Sequence, residues 1–175
     1  LQFVSGQQFL SQKKANFGIF MDSAPDRWGR TIMDRREAVQ SRLEGRKIKK
    51  FFEEDYLLGV YDRHRMGALR FKTNHNGPFL HDVIGMAAPP FASIRELEQA
   101  SLKLEKGILK DTEALKWLNL LLAPGASLGG ARPKAGVVDA DGQLWIAKFP
   151  SANDMLDVGG WEMVVNELGL MAGLN

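Results

Sequence analysis

The 175-residue chain is 45% hydrophobic and 25% charged, a balance typical of a globular protein. It has no cysteine and only three histidines, which excludes disulfides and thiolate chemistry, argues against a structural zinc site, and fits the cytoplasm. No apolar run approaches the roughly 20 residues that a membrane helix needs, so we predict no membrane partner.

The formal net charge is +2, but it is unevenly distributed: residues 1–80 hold 15 Lys/Arg and 9 Asp/Glu, and the remainder hold 8 and 12. A basic half suits an acidic partner or nucleic acid, although solvated helix faces give the same excess. No recognition helix or aromatic stacking platform favours direct contact with DNA.

The first 80 residues contain two predicted helices and one predicted strand. Pro25 suits a first helical turn, and apolar residues recur at helical spacing from Asp26 to Leu43. The acidic residues Glu53–Asp55 precede an apolar run at 56–61, which predicts a second helix. Residues 67–71 alternate like a strand, and Asn74–Pro78 has turn chemistry. The predicted apolar stripe of the first helix is Trp28, Ile32, Val39 and Leu43.

Two more helices are predicted before residue 123. Ser93 and Glu96 have the spacing of a capping box, and Asp111 or Thr112 caps the next helix, which Pro124-Gly125 ends. In the first of these helices the apolar residues Ile94, Leu97 and Leu104 lie on one side. The predicted buried stripe of the second is Leu115, Leu118 and Leu122, and Trp117 and Trp161 are predicted core anchors.

The pattern then changes to strands. Residues 135–138 and 144–149 read as a hairpin closed by Asp139–Gly142, and residues 161–171 as a helix. Together these elements predict an α+β fold with a seam at 123–125. Because the chain begins at Leu1 rather than methionine and stops at Asn175 after an apolar helical stretch, we expect an excerpt of a longer protein.

The segment Pro124–Lys134 (PGASLGGARPK) is the most informative for chemistry. Three glycines in six residues allow backbone N–H groups to face a phosphate, and Ser127, Arg132 and Lys134 add a hydroxyl and positive charge. A P-loop is excluded because Ala131 occupies the position where that motif requires lysine.

Lys148 lies within a short apolar strand, where an ammonium group must reach solvent or meet an anion. Glu162, at the start of the next predicted helix, is a candidate partner. A glycine-rich loop, a strand lysine and a helix glutamate follow the order found in protein kinases. The alternative is a glycine-rich hairpin entry with a lysine that reaches solvent.

A second cluster contains Asp22, Asp26, Arg27, Trp28 and Arg30. These residues either orient a substrate or brace another lobe, or they form a helix cap with an anchoring tryptophan and a local ion pair, which is the more common arrangement. The three histidines, His64, His75 and His81, fall in predicted polar loops, and we assign them no chemistry.

Five segments, in order, resemble the HipA family of bacterial serine/threonine protein kinases, the toxins of toxin–antitoxin pairs. They are Asp22–Arg30 (DSAPDRWGR), Met66–Phe71 (MGALRF), Ser127–Lys134 (SLGGARPK), Trp145–Pro150 (WIAKFP) and 162–174. Ala24, Arg132 and Pro133 depart from the residues that we associate with the family.

The resemblance implies two parts. Residues 1–123 correspond to a helix-rich N-terminal subdomain with a short sheet, whose opening strands precede Leu1. Residues 124–175 begin a kinase-like lobe with a glycine-rich loop, a β-hairpin and a helix. No catalytic residue or metal ligand is expected in this chain, because the catalytic loop and the Mg²⁺ ligands are expected after Asn175.

The resemblance also implies roles for individual residues. Lys148 would contact the α- and β-phosphates of ATP, with Glu162 as its partner, and Ser127 would be an autophosphorylation site. The nucleotide-binding loop residues would be Gly129, Gly130, Ala131, Arg132, Pro133 and Lys134.

The implied partners are a HipB-like helix-turn-helix antitoxin, which would provide contact with DNA only indirectly, and a protein substrate from the translation machinery, such as an aminoacyl-tRNA synthetase. A different class of function also fits the sequence: a non-catalytic module that docks an antitoxin or a substrate protein. A His/Asp/Asn catalytic loop downstream of this sequence would distinguish the two.

Overall fold

The computed structural model describes residues 6, 7, 9, 16–82, 90, 93–108, 110–122 and 130–174. Its helices are α1 (Gly18–Met21), α2 (Arg27–Leu43), α3 (Glu53–Leu58), α4 (Ile94–Glu105), α5 (Asp111–Leu122) and α6 (Val158–Met171), with a short 3₁₀ turn at Asp62–His64. Strands β1 (Lys134–Val138) and β2 (Leu144–Lys148) form one antiparallel sheet. This mixture of helices with a small sheet confirms the α+β class.

Helix α2 is the central element of the core. Asp26 caps it, accepting a hydrogen bond from the Gly29 amide at 2.7 Å, as expected for an N-cap aspartate. Three of the four predicted stripe residues, Trp28, Ile32 and Val39, are buried, and α2 packs extensively against α5. The fourth, Leu43, is the last residue of the helix and is 45% exposed.

Helices α4 and α5 are present where the sequence predicted them. Leu97, Leu104, Leu118 and Leu122 are buried, while Ile94, Leu115 and Trp117 are partly buried against the same core. The predicted capping box at Ser93 is absent, because its side chain makes no capping hydrogen bond to the first turn of α4.

The hairpin also forms as predicted. Asp139 organises its turn by accepting hydrogen bonds from the amides of Asp141 and Gln143, and Gly142 adopts a positive φ of 78°. β1 packs against α5, so Ala135 and Val137 join the helical core. The hydrophobic core therefore includes residues from before and after the predicted seam, which itself lies outside the described residues.

Residues 67–71 do not form the predicted strand, and the described part of the chain before residue 123 contains no sheet. Gly67 has a φ of 76°, and a Cβ there would lie 3.0 Å from the Ser23 hydroxyl. The backbone is left-handed at this point, and no strand among the described residues pairs with residues 67–71. The predicted turn at 74–78 is present, with the Gly77 amide donating to the Asn74 carbonyl.

A buried arginine holds this irregular region to the helices. Arg65 donates hydrogen bonds to the carbonyl oxygens of Ser23 at 2.8 Å, Leu57 at 2.6 Å and Val60 at 3.0 Å. These contacts satisfy backbone acceptors that no regular element pairs.

The surface formed by β2 and α6 differs from the rest of the molecule. Leu144, Trp145 and Ile146 are each about half exposed, and α6 buries none of its residues. Trp161 is 60% exposed, so its assignment as a core anchor was wrong. No helix among the described residues has the length and apolar character to cross a membrane.

Candidate functional site

A cleft of about 210 Å³ lies between the end of the hairpin and the start of α6. Its charged lining comes from Arg132, Lys148, Asp154, Asp157 and Glu162, together with Glu98. Residues that are separated in sequence therefore meet where the predicted lysine strand ends. The cleft is smaller than the roughly 300–1,000 Å³ typical of small-molecule pockets.

Lys148 and Glu162 form an ion pair in this cleft. The Lys148 ammonium lies 3.0 and 3.2 Å from the two Glu162 carboxylate oxygens, and both side chains are about half exposed. Asp157 fixes where α6 begins by accepting a hydrogen bond from the Gly160 amide at 2.9 Å, which places Glu162 in an early turn that faces β2. The two sequence candidates are therefore brought together, at the surface.

Arg132 is paired with Asp154. Its two terminal nitrogens lie 3.1 and 2.6 Å from the two carboxylate oxygens, and Asp154 also accepts a hydrogen bond from the Ser151 amide. The Arg132 hydrogen bonds, followed by the Ser151 amide, hold the pKa of Asp154 below its usual value. Asp154 therefore keeps its negative charge, and the Arg132 guanidinium is already paired with a carboxylate of the protein itself.

Lys134 is held within the protein rather than in the cleft. Its ammonium lies 3.0 Å from Asp26 and 3.4 Å from the Gly130 carbonyl, and its side chain is only 5% exposed. The Trp28 indole donates to the Lys134 carbonyl at 2.9 Å. The cluster around Asp26 therefore contains the cap and the anchoring tryptophan that the sequence favoured, and it also contacts the end of the glycine-rich segment.

The segment after the hairpin is fixed by α4. Glu105 accepts hydrogen bonds from the Ser151 hydroxyl at 3.0 Å and the Ala152 amide at 2.6 Å. Ser151 in turn donates its amide to Asp154, so these contacts link the wall of the cleft to a packed helix.

Only part of the glycine-rich segment falls within the described residues. Gly130 has a positive φ of 90°, Ala131 is exposed, and Pro133 is buried, with its carbonyl accepting a hydrogen bond from the Phe149 amide at 2.8 Å. Two predicted site residues, Ser127 and Gly129, lie outside the described residues.

Carboxylates outnumber cations in and beside the cleft. Each of the three cations, Arg132, Lys134 and Lys148, has its own carboxylate, and Asp157 and Glu98 add two further negative charges. An incoming phosphate must therefore share or displace a carboxylate, which weakens its attraction. Within the described ranges, no three His, Cys, Asp or Glu side chains are grouped so that they could hold a metal ion.

Sequence reasoning missed Asp154, the capping role of Asp157 and the pairing of Asp26 with Lys134. An aspartate three residues before Gly160 at the start of a helical run was a readable cap pattern. The other two depend on contacts between distant segments, for which a single sequence contains no pattern.

The cleft thus brings together a strand lysine with its helix glutamate and an arginine–aspartate pair, of which Arg132 belongs to the end of the glycine-rich segment. Comparisons of the chain with protein-family models, curated proteins and solved structures gave no match.

Proposed function

We propose that this chain is the N-terminal portion of a HipA-family serine/threonine protein kinase, and that the cleft at Lys148 is the phosphate-binding half of its ATP site. The proposal is supported by the ordered sequence resemblance and by one geometric observation. That observation is the Lys148–Glu162 ion pair, formed between the last residue of β2 and the following helix.

The pairing matters because a lysine that positions phosphates must itself be positioned. Glu162 can hold the ammonium group at the mouth of the cleft, where it remains half exposed and accessible to a polyphosphate. In protein kinases a strand lysine paired with a helix glutamate contacts the α- and β-phosphates. The backbone N–H groups of Gly129, Gly130 and Ala131 would contribute the loop side of the same site.

The remaining chemistry is proposed to lie in residues outside this chain. Phosphoryl transfer needs Mg²⁺ ligands and a residue that orients the attacking hydroxyl. Following the resemblance, we assign both to the lobe expected after Asn175. In this proposal the 175 residues alone neither hydrolyse ATP nor transfer its phosphate.

Ser127 is the proposed regulatory residue of the loop. A phosphate on its hydroxyl would add about −1.5 to −2 charges next to the phosphate-binding backbone. That charge would repel ATP, so phosphorylation would switch the kinase off. The proposed protein substrate belongs to the translation machinery, and the proposed partner is a HipB-like antitoxin.

Titration of the isolated chain with Mg·ATP, followed by NMR or calorimetry, tests the site. Because every cation of the cleft is already paired and the cleft is open, we expect a Kd on the order of 1 mM, about −4 kcal/mol. Lys148→Ala should abolish the binding, whereas Lys47→Ala, which removes the same charge from an exposed position away from the cleft, should leave it unchanged.

Equal ATP binding by wild type and Lys148→Ala would contradict the site assignment. Micromolar binding, or phosphate on Ser127 after incubation with ATP alone, would show a more complete site than the one proposed. In a longer protein with the catalytic loop, Lys148→Ala should abolish phosphorylation without lowering the melting temperature.

The second candidate is a non-catalytic docking module for an antitoxin or a substrate protein. It is favoured by the exposed apolar side chains of β2 and α6. The absence of ATP-induced shifts at Gly130–Lys134 and Lys148, together with a longer sequence that lacks the His/Asp/Asn loop, would favour this candidate over the kinase.

A further inference from the structure

The start of α2 and the end of the glycine-rich segment are joined by contacts between residues more than 100 positions apart. The Trp28 amide donates to the Gly130 carbonyl at 3.2 Å, and the Trp28 indole donates to the Lys134 carbonyl at 2.9 Å. Asp26 completes the set with its ion pair to the Lys134 ammonium at 3.0 Å. We call these three contacts, made by Asp26 and Trp28 to Gly130 and Lys134, the α2 brace.

The brace is buried, unlike the ion pairs of the cleft. The side chains of Asp26 and Lys134 are 7% and 5% exposed, and Trp28 is 3% exposed. Removing two charges from water costs several kcal/mol, which their attraction only partly recovers, so such a pair is weak evidence for stability. What a buried pair with directed hydrogen bonds does provide is a fixed geometry for the groups that it joins.

The geometry fixed here is that of the end of the candidate phosphate loop, residues 130–134. Gly130 is held in a left-handed conformation, with its carbonyl engaged by both the Trp28 amide and the Lys134 ammonium. On the other side, the Phe149 amide donates to the Pro133 carbonyl at 2.8 Å. The loop end is therefore attached both to α2, the most central helix of the core, and to the residue that follows Lys148.

We infer that Asp26 and Trp28 are positioning residues for ATP: they hold the backbone of Gly130–Lys134 in the conformation that accepts phosphate. This inference rests on the proposed function of the cleft. A loop that is held before the ligand arrives does not lose conformational freedom on binding, and this strengthens the binding. Lys134 then acts through its ion pair with Asp26 rather than by direct contact with a phosphate.

Two conservative variants of this chain test the inference. Asp26→Asn keeps an oxygen to accept from the Gly29 amide but removes the charge opposite Lys134, and Trp28→Phe keeps the ring but removes the indole N–H. Matched controls are Asp111→Asn, which breaks an exposed ion pair with Arg42, and Trp117→Phe, which alters a half-buried tryptophan of α5.

Two readouts are measured at a temperature at which every variant is fully folded. They are the amide hydrogen exchange of residues 130–132, 134 and 149, and the Mg·ATP Kd from NMR titration up to 20 times the wild-type Kd. We expect each brace variant to raise loop exchange about tenfold and the Kd about fivefold, while Asp26→Glu restores both in part. The controls should change neither.

Both folded brace variants could show the wild-type exchange rate and the wild-type Kd while Lys148→Ala still abolishes binding. That result would overturn the positioning role and leave the proposed function standing. A wild type without measurable ATP binding would overturn the proposed function and the positioning role with it. In that case, raised exchange in the variants would show that the brace holds the loop for structural reasons only. If Asp26→Asn does not fold, Trp28→Phe alone decides the outcome, since it removes one hydrogen bond and keeps the ring.

Discussion

The C-terminal region from β2 to α6 is richer in apolar residues than the helical region up to residue 122, yet it buries fewer of them. In the helical region, apolar residues such as Ile32, Leu97 and Leu118 are fully buried against one another. In the C-terminal region, Trp161, Val165 and Leu168 on α6 are each about 60% exposed. The comparison shows that an apolar sequence pattern produces a core only where other elements cover it.

Strand β1 belongs to the first region and β2 to the second, although they form a single hairpin. Ala135 and Val137 are completely buried by the helices, whereas Trp145, which pairs with Val137 across the hairpin, is 54% exposed. Polar contacts follow the same division. The Asp26–Lys134 pair at the start of β1 is buried, while the Lys148–Glu162 pair at the end of β2 is open to water.

The largest expected effect comes from truncating the same residue type in the two regions. Leu118→Ala should lower the free energy of unfolding by about 3 kcal/mol, because it removes a fully buried side chain and leaves a cavity. Leu168→Ala, at a position that is 59% exposed, should change it by less than about 0.5 kcal/mol. Urea unfolding measures both.

An equal loss in the two variants would break the comparison, because it would mean that α6 is covered in solution. Repeating the Leu168→Ala measurement at several protein concentrations would then identify self-association as the cause if the loss grows with concentration.

A smaller effect is expected at Glu37, a buried carboxylate of the helical region. It accepts hydrogen bonds from Arg46 at 2.5 and 2.9 Å and from the Lys49 amide at 2.7 Å. The Arg46 hydrogen bonds are the main cause of a pKa lowered to about 2. A depressed pKa means that the carboxylate stabilises the fold above its unfolded-state pKa, about 4.3, and that this stabilisation is lost as the pH falls towards 2.

At pH 7, Glu37→Gln should therefore lower the free energy of unfolding by about 1–2 kcal/mol, a range that allows for the partial exposure of Arg46. The difference from wild type should shrink as the pH falls below 4.5, as measured by thermal unfolding at several pH values. Glu162→Gln, which breaks the exposed pair of the C-terminal region, should cost less than about 0.5 kcal/mol at pH 7. A difference at Glu37 that is independent of pH would contradict the assigned ion pair.

The smallest effect is on tryptophan exposure, measured under conditions in which every variant is folded. Acrylamide quenching of tryptophan fluorescence should decrease in Trp161→Phe, because that variant removes a 60% exposed indole. It should increase in Trp28→Phe, which removes a 3% exposed indole and leaves the more accessible ones. The opposite order would show that α6 and the core are not arranged as described.

Local chemistry allowed much of the fold to be predicted from sequence. The Asp-Gly pair predicted the hairpin, and the spacing of Trp28, Ile32 and Val39 predicted α2, because both depend on residues close together in the chain. Residues 67–71 show the limit: their alternation suits a strand, but a strand also needs a partner, and no described strand pairs with them. The prediction of burial has the same limit: Trp161 was predicted to be a core anchor, but it is 60% exposed.

The candidate site was predictable to a similar extent. Lys148 and Glu162 are separated by one loop and a helical turn, so their meeting followed from the order of elements. The α2 brace joins residues that are more than 100 positions apart in sequence, and nothing in the sequence around Asp26 or Lys134 indicates that they meet. The Arg132–Asp154 pair was missed for the same reason, since it forms only when the segment after the hairpin folds back towards the loop.

The parallel bridge between Pro90 and Val138 has a consequence for how the molecule behaves in concentrated solution. Proline has no amide hydrogen, so at this point the free side of β1 is occupied by a residue that cannot extend a sheet. Among the described residues, no strand pairs with the opposite side of β2, where Leu144 and Ile146 are about half exposed. Within the described part of the chain, one edge of the hairpin is covered by a proline and the other is unpaired, so we expect aggregation by strand addition to begin at β2.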